Sequence, residues 1–137
     1  MIGRVLSATP VGFQGQIIDV EGDLSAGLPN LQIIGLGNKA IDEAKDRVRS
    51  AIKNSLLDFP KGKIVINLAP AELPKDGTHF DLPIALSILL LGGSLTADNI
   101  GSGLFVGELA LDGSIRPVKS VITATETAKA HNVTTVY

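Results

Sequence analysis

The sequence predicts an α/β domain built on a mixed β-sheet. Three observations carry that expectation. Apolar residues alternate with period two in some stretches and recur at helical spacing in others. Lys63-Ile-Val-Ile-Asn-Leu-Ala69 is a nearly continuous apolar, β-branched run, the pattern of an interior strand. Asp112-Gly113 separates two apolar stretches and favours the positive φ values of a tight hairpin turn. Short hairpins alternating with helical crossovers give a sheet that mixes parallel and antiparallel pairs. At 137 residues and 14.2 kDa the chain has the size of one domain.

Taken in order, residues 4–8 and 14–21 read as strands, the second with Ile18 and Val20 alternating with Asp19 and Glu21. Residues 22–30 form a loop, and Leu31–Leu36 a third strand. The period then changes. Ile41, Ala44, Val48, Ala51, Ile52 and Ser55 share one helical face, with Asn38 as N-cap, Asp42 and Glu43 in the first turn, and Pro60 as the stop. After the strand at 63–69, residues 70–78 form a loop. Leu82–Leu91 is an apolar helix capped by Asp81, with Pro83 in its first turn and Gly92-Gly93 at its end. The uncharged stretch from Leu82 to Ala97 has sixteen residues, too short for a membrane span. Leu104–Leu111 and Ser114–Val118 form the hairpin, Lys119–His131 a third helix with Asn132 at its C-terminal end, and Val133–Tyr137 opens a further strand. The expected order is βββ-α-β-α-ββ-α-β in a single domain over residues 1–137. The last strand meets the end of the sequence without a polar tail, as in the leading piece of a longer protein.

Composition excludes several function classes. At 45% hydrophobic and 19% charged, the chain is too apolar for intrinsic disorder, and 4% aromatic residues require an aliphatic core. The absence of Cys removes disulfides, Cys-ligated zinc, iron–sulfur clusters and thiol catalysis. A net charge of −2 supplies no global steering toward nucleic acid. The N-terminus lacks the apolar segment of a signal peptide, so a cytoplasmic location is expected.

Four kinds of chemistry can be weighed from residues alone. Gly35-Leu-Gly37-Asn-Lys39 lies between a strand and a helix, where a phosphate loop belongs, but no Gly-Lys-Ser/Thr of a Walker A motif exists anywhere. It is expected to be a plain strand-to-helix turn. His79 and His131 lack metal-ligand spacing, and a hard-cation site from Glu72, Asp76 and Asp81 is weaker than the reading in which Asp81 caps a helix and His79 is an exposed loop residue. No metal site is expected. Eight of the twelve basic residues fall between positions 39 and 75, against five acids. Lys45, Arg49 and Lys53 recur every four residues and form a stripe on the first helix. Asp42 and Asp46 project into that stripe, and no aromatic is interleaved to stack bases, so a solvated face competes with a phosphate-tracking surface. Nine serines are available for a Ser–Lys arrangement, yet composition selects no pair.

Three tracts together carry a resemblance. Gly27-Leu-Pro-Asn-Leu-Gln-Ile-Ile-Gly-Leu36 runs into the helix of Arg47-Val48; Ile66-Asn-Leu-Ala-Pro-Ala-Glu-Leu-Pro-Lys-Asp-Gly77 continues through Phe80-Asp-Leu-Pro-Ile-Ala85; Gly107-Glu-Leu-Ala-Leu-Asp-Gly-Ser-Ile-Arg-Pro-Val118 completes the set. In this order they resemble the N-terminal domain of the bacterial YifB/ComM family, also labelled magnesium chelatase-like or ChlI-like. The resemblance implies a Lon-protease-like fold, shared with a ribosomal protein domain, at the head of an AAA+ ATPase module and a C-terminal domain. ATP and Mg are then expected for the parent protein and no cofactor for this domain. The implied partners are the downstream AAA+ module and further copies in a hexameric ring, with DNA as a candidate and no membrane.

The comparison with active Lon proteases is specific. Their nucleophile follows a Pro-Lys-Asp-Gly-Pro-Ser-like tract. Here Pro74-Lys-Asp-Gly77 is kept, but Thr78 and His79 follow, so His79 takes the place of the serine and Ile122 that of the catalytic lysine. Thr78 and Lys119 lie one and three positions away. No catalytic residue is therefore expected, because a nucleophile and its base must come within hydrogen-bond reach. The resemblance implies a non-catalytic domain of an AAA+ protein, of the DNA branch-migration type acting in natural transformation, that serves assembly, DNA guidance or gating. Lys45, Arg49 and Lys53 are its candidate phosphate contacts. The alternatives are a domain of a magnesium chelatase-like metal-insertion complex and a residual Lon-type peptidase.

Overall fold

A computed structural model describes residues 2–137 of the chain. Three strands open it: β1 (Ile2–Val11), β2 (Gln14–Ser25) and β3 (Asn30–Ile34). Helix α1 (Asn38–Asn54), strand β4 (Lys63–Ala69), helix α2 (Asp81–Leu91) and the one-turn helix α3 (Ala97–Ile100) follow. The two-residue strands β5 (Glu108–Leu109) and β6 (Ile115–Arg116) and helix α4 (Val121–Ala130) complete the set. The main sheet has the order β1-β2-β4-β3. Its first two pairings are antiparallel and β3–β4 is parallel, so the sheet is mixed, as the sequence predicts.

Register explains the layers. Val5 faces Val20, Val20 faces Leu68, and Ile66 faces Ile33, which sets Val5, Ile18, Val20, Leu31, Ile33, Ile64, Ile66 and Leu68 on one face. All are buried, and the buried sides of α1 and α2 (Ala44, Val48, Ala51 and Ile52; Ile84, Ala85 and Ile88) cover them. Each fully buried aliphatic side chain contributes about 1.5–3 kcal/mol. On the opposite face α4 packs Ala124 and Ala128 against Ala8, Leu104 and Val106, with Ile17, Val118, Val133 and Val136 around them. Strand β4 is therefore interior in the sheet but buried on one face only, with Val65 and Asn67 half-buried on the other.

Several boundaries differ from those expected, each for a local reason. β2 runs through residues 22–25, expected as loop, because β4 pairs with it as far as Ser25–Lys63. The N-cap position of α1 is Gly37, not Asn38, and the first turn holds no acidic residue, so Asp42 and Glu43 lie one turn further on. The turn at Asp112-Gly113 is longer than a two-residue hairpin. Ala110 N–H bonds to the Ser114 carbonyl across three residues, and only Gly113 takes positive φ (+94°), while Asp112 Oδ1 accepts from Ser114. The strands beside it shrink to two residues each. Val133–Tyr137 forms no strand, only a bridge between Val136 and Leu104. Helix α4 begins two residues later than expected, and Asn132 ends it in the left-handed region at φ +58°.

Helix α2 sits unusually close to the sheet. Gly3 and Gly22 face one another across β1 and β2. Ser87 Oγ donates to the Gly3 carbonyl at 2.7 Å, a buried link across the interface. A Cβ on Gly22 would lie 2.4 Å from Ser87 Oγ and 2.9 Å from Leu91 Cδ1, so both glycines are there for approach and not for turning. Gly22→Ala is expected to cost about 1–3 kcal/mol through overpacking, read as a lower urea midpoint with an unchanged slope.

Candidate functional site

The loop before α2 and the segment before α4 meet over the end of β1. They enclose a cleft of about 360 Å³ lined by Thr9, Asp76, Thr78, His79, Glu108, Lys119 and Ser120 among others. The floor is fixed by backbone bonds: Gly107 N–H donates to the His79 carbonyl and Leu82 N–H to the Gly107 carbonyl, each at 3.0 Å. These bonds draw His79 inside. It is 8% exposed, with its ring centre 4.1 Å from that of Phe80 and the two planes tilted by 37°, so the expectation of an exposed loop residue is corrected. Its Nε2 is buried and has no hydrogen-bond partner among the described residues. Burial pushes the imidazole below the ordinary histidine value, against opposing pulls from Asp76 and the Ala8 carbonyl.

Asp81 does not cap α2. The N-cap position is Phe80 and makes no side-chain bond, while Asp81 is the first helical residue, with its side chain 1% exposed. Its carboxylate receives Arg47 Nε at 2.6 Å and Nη2 at 3.1 Å, and also Leu109 N–H at 3.2 Å. One side chain thus joins α1, α2 and β5. Burial pushes the Asp81 carboxyl up, and the Arg47 guanidinium and Leu109 N–H pull it back. Next to it, Thr78 Oγ1 donates to Glu108 Oε2 at 3.0 Å.

The residues that resemble the Lon positions separate. His79, Thr78 and Lys119 line the cleft; Ile122 is 77% exposed and does not. Among the described residues no hydrogen bond joins Thr78 to Lys119, since the threonine hydroxyl is taken by Glu108. Lys75, in the retained Pro74-Lys-Asp-Gly77 tract, is buried and spends its ammonium on the Pro70 and Leu73 carbonyls, which holds the loop; burial pushes its pKa down. Glu72, Asp76 and Asp81 are not brought together, because Asp81 is committed to Arg47. Among the described residues no group of three or more potential ligands is placed to hold a metal. Gly35 lies against the Leu68 carbonyl, where a Cβ would sit at 2.7 Å, so its small size serves the packing of strand on strand.

Lys45, Arg49 and Lys53 lie along α1, away from the cleft; Lys45 is half-buried and the other two are exposed. The Arg49 guanidinium sits 4.8 Å from the centre of the Phe59 ring, and Arg49, Lys53 and Phe59 line a shallow depression together with Leu56 and Leu57. An aromatic therefore does accompany the stripe. It comes from beyond the helix, where i, i+4 spacing does not reveal it.

Two expectations follow. Arg47→Ala leaves a buried carboxylate without its main partner and should cost about 3–5 kcal/mol in urea unfolding, whereas the double variant Arg47→Met with Asp81→Leu should lose less than either single change. Because the folded-state pKa of His79 is depressed, the unfolded chain binds the proton first. Stability is full above the ordinary value of 6.5 and falls as pH drops from there toward the lower folded value. Asp81, with a raised pKa, contributes the opposite slope in a window that begins at its ordinary 3.8. Urea midpoints of the wild type and His79→Gln between pH 7.5 and pH 5.5 isolate the histidine, and the variant should show the flatter dependence.

Comparison with known proteins adds identity to this geometry. The family model described as subunit ChlI of Mg-chelatase matches residues 20–137. The chain is 49% identical over 121 residues to an uncharacterised protein of Salmonella typhimurium, YifB, and 45% identical over 120 residues to competence protein ComM of Haemophilus influenzae. Each match covers 88% of the chain and 24% of the relative. A third relative, uncharacterised protein Rv2897c of Mycobacterium tuberculosis, is 36% identical over 128 residues, covering 93% of the chain and 25% of its own length. The chain thus spans about a quarter of the length of the curated relatives it matches. With the model matching most of its length, the chain belongs to the ChlI-like family that includes the YifB and ComM proteins.

Proposed function

We propose that this chain is the Lon-like N-terminal domain of a cytoplasmic AAA+ ATPase of the ComM type, a hexameric motor that drives DNA branch migration, and that the domain itself is not catalytic. The observation that carries the reading is the 45% identity to a competence protein over 88% of the chain. What supports a non-catalytic role is chemical. An imidazole stands at the resembled serine position, Ile122 is not among the residues lining the cleft, and among the described residues no hydrogen bond joins Thr78 to Lys119. ATP and Mg belong to the downstream module in this reading, and the domain contributes assembly, DNA guidance or gating.

Within it, Lys45, Arg49 and Lys53 contact DNA phosphates, and Phe59, held under Arg49, offers an apolar base for the contact. Fluorescence anisotropy with single-stranded, duplex and branched DNA, at low and near-physiological salt, tests this. Binding should fall when Lys45, Arg49 and Lys53 are all changed to Glu, and its salt dependence should flatten. Unchanged binding removes the stripe from the reading. The family description favours a second reading, an ATPase-associated domain of a metal-insertion complex. In that case DNA binding is absent, and the same titration separates the two.

A further inference from the structure

The β1–β2 hairpin ends in an aromatic side chain that the fold does not use. Strand β4 pairs with β2 only over Asp19–Ser25, so the half of the hairpin from Ser7 to Ile18 projects past it. At its end Val11 pairs with Gln14, and Gly12-Phe13 makes the two-residue turn. Phe13 is fully exposed, whereas Phe80 and Phe105 are buried and Phe59 is half-buried. The arm is held close to its tip: a Cβ on Gly15 would lie 1.9 Å from Thr127 Oγ1, so β2 is pressed against α4 there. A lone exposed apolar side chain is ordinary on a protein surface. Here the ring sits on a short, pinned turn beside exposed Pro10 and Val11. The amides of Gln14 and Gln16 are exposed as well and make no side-chain hydrogen bond among the described residues.

The chemistry of the tip narrows its partner. No charged residue occurs from Val5 to Ile18, so the tip is not a phosphate contact. A stable protein interface takes roughly 20–30 residues a side, far more than the turn and its neighbours at 10–14 supply. A nucleobase needs only an aromatic face to stack on, and such stacking tolerates any sequence. Glutamine amides can donate to and accept from base edges. Bases inside an intact duplex have both faces covered by their neighbours, so an exposed ring suits a base that is unpaired. We infer that Phe13 is a stacking platform for unpaired DNA bases, such as those at a branch point, with Gln14 and Gln16 at the base edges. This inference rests on the DNA reading proposed above and divides the labour within it: the α1 stripe holds phosphates and the hairpin tip engages bases.

The chain contains no Trp, so Phe13→Trp places a single indole at the tip. Single-stranded and branched DNA should quench its emission saturably, and blunt duplex should require a concentration about tenfold higher or more. In anisotropy, Phe13→Ala should bind single-stranded and branched DNA about tenfold more weakly, with duplex affinity, salt slope and urea midpoint as in the wild type. Phe13→Leu, apolar but without a π-face, should behave as Phe13→Ala does. DNA that binds by anisotropy without changing the indole emission overturns the inference and leaves the α1 stripe standing. So does equal quenching by duplex, or full affinity in Phe13→Leu. An emission shift that follows protein concentration in the absence of DNA marks a contact between copies and overturns it too. No binding of any DNA form overturns the DNA reading, and this inference with it.

Discussion

A carboxylate taken almost wholly out of water is the constraint on which the arrangement of this domain turns. Asp81 cannot be buried alone: an ion in the interior must be paired and its remaining lone pairs occupied. Arg47 supplies a two-pronged partner from α1 and Leu109 supplies a backbone N–H from β5. The pair fixes the distance between the two helices that cover the sheet and ties the β5–β6 turn to both. Because His79 lies two residues before Asp81 and Glu108 one residue before Leu109, the same pair sets the walls of the cleft.

The cleft and the basic stripe are different kinds of surface on one scaffold. The stripe is an exposed row of cations whose strength scales with salt and with the number of copies presented together. The cleft is small and lined by groups of both charges. Lys75 illustrates how the scaffold spends cations elsewhere: its ammonium is buried on two carbonyls and serves the loop instead of a ligand. Family membership joins the chain to ComM and YifB without assigning either surface a role.

Much of the fold was legible because one-dimensional patterns encode it. The period-two alternation of Ile18 and Val20 and the helical face of Ala44, Val48, Ala51 and Ile52 report burial on one side of an element, while the β-branched run at 63–69 reports an interior position in the sheet but not that only one of its faces is buried. What escaped depends on partners distant in sequence. Asp81 before Pro83 has the look of a helix cap, and nothing local discloses that Arg47, 34 residues earlier, is its partner. His79 sits in a polar loop and looks exposed until Gly107 pairs with its backbone. Phe59 reaches Arg49 only because the chain turns back after α1.

The close seat of α2 on Gly3 and Gly22 has a temporal side. Ser87 bonds the Gly3 carbonyl across 84 residues, and Ser7 Oγ bonds the Phe105 carbonyl across 98. The first strand is therefore completed by residues synthesised far later. The β1–β2 hairpin is local and can pair early, but its inner face stays uncovered until α2 arrives, and its outer edge until Phe105 does. Such separated contacts carry a large loop-closure cost and slow the final step. On the ribosome, the domain closes only after most of its length has emerged, so the exposed valine and isoleucine face of the nascent hairpin is the surface that chaperones would meet first.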